Sequence, residues 1–173
     1  YMFNDFAKAS ELFGKAAEVA ATAPLNEVDT TALYNAGFTA WMVKDYPRAE
    51  QFFNKCVEAG YYYEGGEVFA KLADIYNNTD RKDAARDILE NGFAKFPQSQ
   101  SILIGLINYY LDSKQSPDRL FELIGEAKKN EPNNASLYYV EGNIYNELGQ
   151  KDKAVESYYK CAEIDPSYEF GFI

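Results

Sequence analysis

Residues 141–166 read EGNIYNELGQKDKAVESYYKCAEIDP, with Gly142, Tyr145, Gly149, Ala154, Tyr158, Cys161 and Pro166 on an uneven ruler. Tyr138, Gly142 and Tyr145 are spaced by four and three, which places them on one face of a helix. Ala154, Tyr158 and Cys161 repeat the interval. Between the two sets lies NELGQKD, where Gly149 suits a helix terminator, and Pro166 closes the second set. The unit is a helix–turn–helix.

The ruler recurs. Tyr76, Tyr110 and Tyr145 are separated by 34 and 35 residues, and Ala85, Leu120 and Ala154 by 35 and 34. Pro97, Pro132 and Pro166 share that period. Extended backwards, it gives a unit at 30–65, with Leu33, Gly37 and Ala40 facing inward on its first helix and Ala49, Phe53 and Cys56 on its second. Residues 1–24 align as the second helix of a truncated repeat, which puts Ala9, Phe13 and Ala16 in the slots of Ala154, Tyr158 and Cys161. Further repeats fall at 66–99, 100–134 and 135–168, and 169–173 starts another helix. Residues 1–173 thus read as a single array. Because both ends cut the repeat, the expectation is a segment of a longer array, the alternative being a natural domain with ragged ends.

A helix pair on this period resembles the tetratricopeptide repeat, and the resemblance covers nearly the whole chain. The 135–168 copy fits best; the 66–99 copy keeps Phe69, Leu72, Ala73, Tyr76, Ala85 and Pro97 but has Asp80 where a turn glycine is usual. The 100–134 copy places Ile107 in the small-residue slot and needs one extra residue in DSKQSP, leaving the register of helix 100–112 open by one position. The resemblance implies an all-α fold, an α-solenoid of stacked antiparallel helix pairs wound as a right-handed superhelix. Small residues let paired helices approach, and stacked neighbours bury a face that no pair could bury alone.

Composition narrows the function. The chain has 173 residues and a formal net charge of −10, which opposes nucleic-acid or anionic-membrane partners and favours neutral to basic ones. No apolar run reaches the length needed to insert in a bilayer. Histidine is absent, removing the commonest general base and metal ligand. No phosphate loop, zinc helix or calcium loop is present. Neither catalysis nor a cofactor is expected. Cys56 and Cys161 share one slot of the repeat and read as small buried hydrophobes. Tyr61, Tyr62 and Tyr63 read as packing of an inter-repeat loop, and KKNEPNN (residues 128–134) as a solvated helix end. Compartment is not legible, since a chain that begins at Tyr1 leaves a removed leader open.

In the implied architecture, first helices line a concave groove. Rotating from the buried stripe places Tyr34, Asn35, Phe38, Trp41 and Met42 in it, then Glu67, Lys71, Asp74, Asn77 and Asn78. Ser101, Ile104, Asn108, Leu111 and Asp112 follow, and finally Ser136, Tyr139, Asn143, Asn146 and Glu147. The lining is aromatic at one end and carries a ladder of asparagines, whose amides both donate and accept. It suits an extended, neutral-to-basic peptide with an apolar anchor. The expected function is therefore a non-catalytic protein-interaction scaffold. Carbohydrate or cell-envelope recognition by the same aromatic and amide surface, and self-assembly into homo-oligomers through the array ends, are the alternatives. Trp41 and Phe38 could instead pack against a preceding helix. Some tetratricopeptide-repeat proteins clamp a terminal carboxylate; Asn35 and Lys71 fit that pattern here, but Glu67 opposes it.

Overall fold

The computed structural model describes residues 2–22 and 25–171, with side chains described for 5–22 and 25–168. Among them there are nine α-helices and no strand: α1 (Met2–Ala20), α2 (Thr30–Met42), α3 (Tyr46–Glu58), α4 (Glu67–Asn78), α5 (Lys82–Lys95), α6 (Gln100–Ser113), α7 (Pro117–Asn130), α8 (Ala135–Glu147) and α9 (Lys151–Ile164). Single 3-10 turns occupy Glu64–Gly66 and Pro166–Gly171. The fold is an α-solenoid of stacked antiparallel helix pairs, and its residues group into two compact units, Tyr1–Gly105 and Leu106–Ile173. The further helix expected at 169–173 is a 3-10 turn as far as Gly171, and 172–173 lie outside the described residues.

Local chemistry sets the helix ends. Asp29 and Asp45 each accept a hydrogen bond from the backbone N–H three residues on, at 2.8 and 3.3 Å, and Asn134 accepts from Ser136 at 3.2 Å. Such caps contribute about 1 kcal/mol each. Pro47 and Pro117 sit in the first turns of α3 and α7, where a missing N–H costs nothing. The turns inside the hairpins share one device. Lys44, Asp80 and Gly149 all have positive φ (62°, 57° and 73°), and the next residue's N–H returns to the carbonyl of Ala40, Tyr76 or Tyr145 at 2.8–2.9 Å. Asp80 therefore does the work of the turn glycine. The DSKQSP loop retains that left-handed residue at Lys114 and adds a second, Ser116, at φ 51° before Pro117. The extra residue read from the sequence is absorbed there.

Packing follows the small-residue stripes. In the first unit Ala49, Phe53 and Cys56 are fully buried, as are Val68, Leu72 and Ile75 of α4. A Cβ on Gly37 would stand 3.0 Å from the Phe53 ring. In the second unit Ala154 and Cys161 are buried, and a Cβ on Gly142 would intrude on the Tyr158 ring. Phe121 of α7 stacks on Tyr145 of α8 at 4.5 Å between centroids.

Two expectations need correction. On α1 the covered stripe is Ser10, Gly14 and Ala17, one residue on from Ala9, Phe13 and Ala16; Phe13 and Ala16 are exposed. The cause lies on the neighbouring helices. Gly14 makes room for the Phe52 ring, 2.8 Å from where its Cβ would be, and Ser10 donates to the Ala36 carbonyl at 2.9 Å. The second concerns Lys128, which does not point into solvent. It is half-buried, pairs with Glu141 at 2.5 Å and lies over the Tyr138 ring, while Ser157 donates to the same carboxylate at 2.8 Å. One carboxylate thereby joins α7, α8 and α9.

Gly142→Ala is expected to lower stability by about 1–3 kcal/mol through overpacking against Tyr158. Gly125→Ala, in α7 with nothing near the new methyl, should gain up to ~1 kcal/mol from helix propensity. Paired denaturant melts check both; equal and opposite-sign shifts are not required, but a stabilised Gly142→Ala would show that the close approach does not hold α8 to α9.

Candidate functional site

The first unit brings together five of the residues expected to line a groove. Glu67, Lys71 and Asp74 follow one another at four and three residues, so they share a face of α4 beside the stripe that buries Val68, Leu72 and Ile75. Trp41, on the last turn of α2, donates its indole N–H to Asp74 Oδ2 at 2.6 Å. The Lys71 ammonium sits 3.8 Å from the Trp41 ring centroid and 5.6 Å from that of Phe38. Glu67 Oε1 holds the same ammonium at 3.4 Å. Trp41 and Phe38 thus pack forward onto α4 of the following repeat.

Beside this cluster is an open depression of about 870 Å³. Trp41, Glu67, Lys71, Asp74, Ser101 and Ile104 line it, all of them groove residues in the sequence-based rotation. Glu64, Gly65, Ala70 and residues 98–100 complete the wall and were not anticipated. Ala70 is on α4 and Gln100 opens α6; the others lie in the connections between α3 and α4 and between α5 and α6, where helical periodicity carries no directional signal.

Tyr34 departs from expectation. It is only 7% exposed, because Tyr63 stacks on it at 4.1 Å between centroids and Phe53 and Tyr61 close the sides. Burial, then the Glu67 carboxylate and Tyr63, hold its phenol well above the ordinary tyrosine value. It is core, not lining. The loop tyrosines pack as expected, with Tyr62 stacked on Phe69 at 5.1 Å. Tyr63 reaches Tyr34 from a backbone at φ 57°, ψ 179°, a region that a residue with a Cβ rarely occupies.

The remaining candidates are dispersed among different helices. Asn35 is half-buried on α2, and Asn77 is exposed on the last turn of α4 beside Asn78, whose amide donates to Asp74 Oδ1 at 3.1 Å. In the second unit Asn108 and Asn146 are exposed, and Tyr139 packs against Tyr158 and Tyr168. Asn143 accepts a hydrogen bond from the Tyr158 hydroxyl at 2.8 Å, so its carbonyl is already engaged and its removal would cost stability as well as any contact with a guest.

No reactive centre emerges from the cysteines. Burial pushes the Cys56 thiol up to about 12, and burial also raises Cys161, so both stay protonated near neutrality. Among the described residues no group of three or more acidic or cysteine side chains is placed to hold a metal, and no helix is long and apolar enough to cross a membrane.

Residues 135–168 match the family model of the tetratricopeptide repeat. Solved structures carry the same fold. A crystal structure of MamA superposes with a TM-score of 0.74 at 21% identity, covering 95% of this chain and 91% of that one. YrrB, described as a TPR protein with an unusual peptide-binding site, gives a TM-score of 0.70 at 21% identity over 94% of this chain and 79% of that one. MamA from Desulfovibrio magneticus RS-1 gives 0.64 at 16% identity over 92% and 96%. No curated protein matches the sequence.

Replacing Tyr63 separates strain from packing. Tyr63→Ala keeps the unfavourable backbone and loses a ring stack of about 0.5–1.5 kcal/mol. Tyr63→Gly loses the same stack but relieves a conformation costing about 1–3 kcal/mol. The glycine variant is expected to melt above the alanine variant; an alanine variant as stable as the glycine one would show an unstrained loop.

Proposed function

We propose that the chain is a protein-interaction scaffold that holds an extended peptide segment across the face shared by α2 and α4, with Trp41 as the anchor. The observation that carries this is Trp41 itself. Its indole is fixed by Asp74, it is half-buried, and while one side packs against the core it also borders the depression. A rigid aromatic with a fixed ring plane, beside a cavity with polar walls, is the composition of an interaction hot spot. A tetratricopeptide-repeat relative of the same fold that has a peptide-binding site supports the same reading.

The partner that suits this face is neutral to basic. Three carboxylates, Glu64, Glu67 and Asp74, stand around the depression against one ammonium. The whole chain's charge of −10 would steer a cationic segment toward it and repel nucleic acid. Modest affinity is expected, since micromolar binding needs only about −8 kcal/mol.

Trp41 is the chain's single tryptophan, so its fluorescence reports occupation of the site directly. Titration with a random peptide library in pools should shift its emission, and Trp41→Ala, which has no tryptophan and is read by calorimetry, should weaken the selected peptide by about thirtyfold, the scale of a 2 kcal/mol hot spot. Trp41→Phe keeps packing while losing the bond to Asp74, and guards against a variant that merely unfolds. Selection of glycans in place of peptides, with Trp41 emission responding, would overturn the peptide reading in favour of carbohydrate recognition.

A further inference from the structure

We infer that the depression beside Trp41 takes an arginine side chain of the bound segment, and that Lys71 is an internal stand-in which the guanidinium displaces. This rests on the peptide-binding reading above and names the chemistry its anchor recognises. The observation is that the site already holds a cation. Lys71 lies 3.8 Å from the centre of the Trp41 ring, with Glu67 at 3.4 Å on its other side. The protein thereby displays the geometry that this ring and these carboxylates offer to a positive charge.

The resident is an imperfect fit. An ammonium is a compact, strongly hydrated point charge, and Lys71 is tied to α4 by its own stem, so it can cover only part of the ring. It leaves an open volume of about 870 Å³ beside it. It also leaves Glu64, which no cation among the described residues pairs with. A guanidinium is flat, so it stacks on the whole indole face. Its fork of donors can address Glu67 and Glu64 together, which one ammonium on α4 does not. Lys71 need not travel far when displaced, since it stands 18% exposed at the edge of the open space.

Lys71 therefore has two opposed effects. It fixes Trp41 and screens the carboxylates in the empty state, preventing bare acid-to-acid repulsion. For an incoming cation it is a competitor and a like charge. A ligand that used a terminal carboxylate would instead need Lys71 as its partner. The sign of a Lys71 substitution thus discriminates the two chemistries.

The test uses the 173-residue chain with Trp41 emission and the indole N–H resonance as readouts. The probes are N-acetyl-arginine amide, its uncharged isostere N-acetyl-citrulline amide, and an acetylated Gly-Ser peptide with a free C-terminal carboxylate. Arginine is expected to bind at least tenfold more tightly than citrulline, with the difference shrinking at high salt. Lys71→Met should tighten arginine binding by about three- to tenfold, and Glu67→Gln should weaken it. Circular dichroism of each variant verifies folding, and the arginine–citrulline contrast on the wild-type chain needs no variant at all. Arginine no better than citrulline, or weakened by Lys71→Met, overturns the inference. If neutral peptides still shift Trp41 in that case, the peptide-binding reading stands without it. Silence of the Trp41 signals toward every probe and the pooled peptides would remove both.

Discussion

The distance between paired helices is set by an aromatic ring facing a glycine. In α2 and α3 the ring is Phe53 and the glycine Gly37; in α8 and α9 they are Tyr158 and Gly142. Each ring lies flush against backbone, so a methyl on the glycine has nowhere to go without moving a helix. Burial of such a ring is worth about 1.5–3 kcal/mol, several times the propensity cost of the glycine. The pairing is therefore held by packing rather than by helix propensity. Because the ring and the glycine come from different helices, the contact also fixes how each helix is rotated about its axis. Everything presented on the outer faces of those helices inherits that rotation.

The site in the first unit is a consequence. With Leu33, Gly37 and Ala40 turned inward on α2, Phe38 and Trp41 are left at the margin. With Val68, Leu72 and Ile75 inward on α4, Glu67, Lys71 and Asp74 come to the same margin from the other side. The indole bond to Asp74 then converts two neighbouring faces into one surface of defined geometry. A half-buried acceptor on a charged group makes this bond stronger than a neutral one, and it costs Asp74 none of its charge toward the depression.

The 34- to 35-residue spacing made the hairpins, their order and most buried positions legible, because each slot recurs with the same demand for size. Lys71, Asp74, Ser101 and Ile104 were reachable by rotation alone. What escaped was decided by neighbours that the period does not describe. On α1 two adjacent stripes are both rich in small or apolar residues; the bulk of Phe52 on α3 selects Gly14 over Phe13, and the Ser10 bond to the Ala36 carbonyl on α2 fixes the same rotation. Tyr34 sits at a correct angular position but is roofed by Tyr63, whose loop has no helical phase to read. Lys128 looked solvated because the carboxylate that claims it, Glu141, is thirteen residues away on another helix.

The loop between α3 and α4 ties packing to recognition. Its residue Tyr63 seals Tyr34 into the core of the first unit from a strained backbone, and the next residue, Glu64, supplies an outer carboxylate of the depression. Strain of this kind persists only when surrounding contacts over-determine it, and here four aromatic contacts among Tyr34, Phe53, Tyr61 and Tyr63 do so. A loop built for low strain would place glycine at 63 and forfeit the roof over Tyr34. Glu64 would then hang from a freer backbone, and the orientation of its carboxylate relative to Trp41 would be lost with it. The tyrosine at 63 therefore trades local strain for a fixed acidic wall, which links the stability of a loop to the selectivity of the surface beside it.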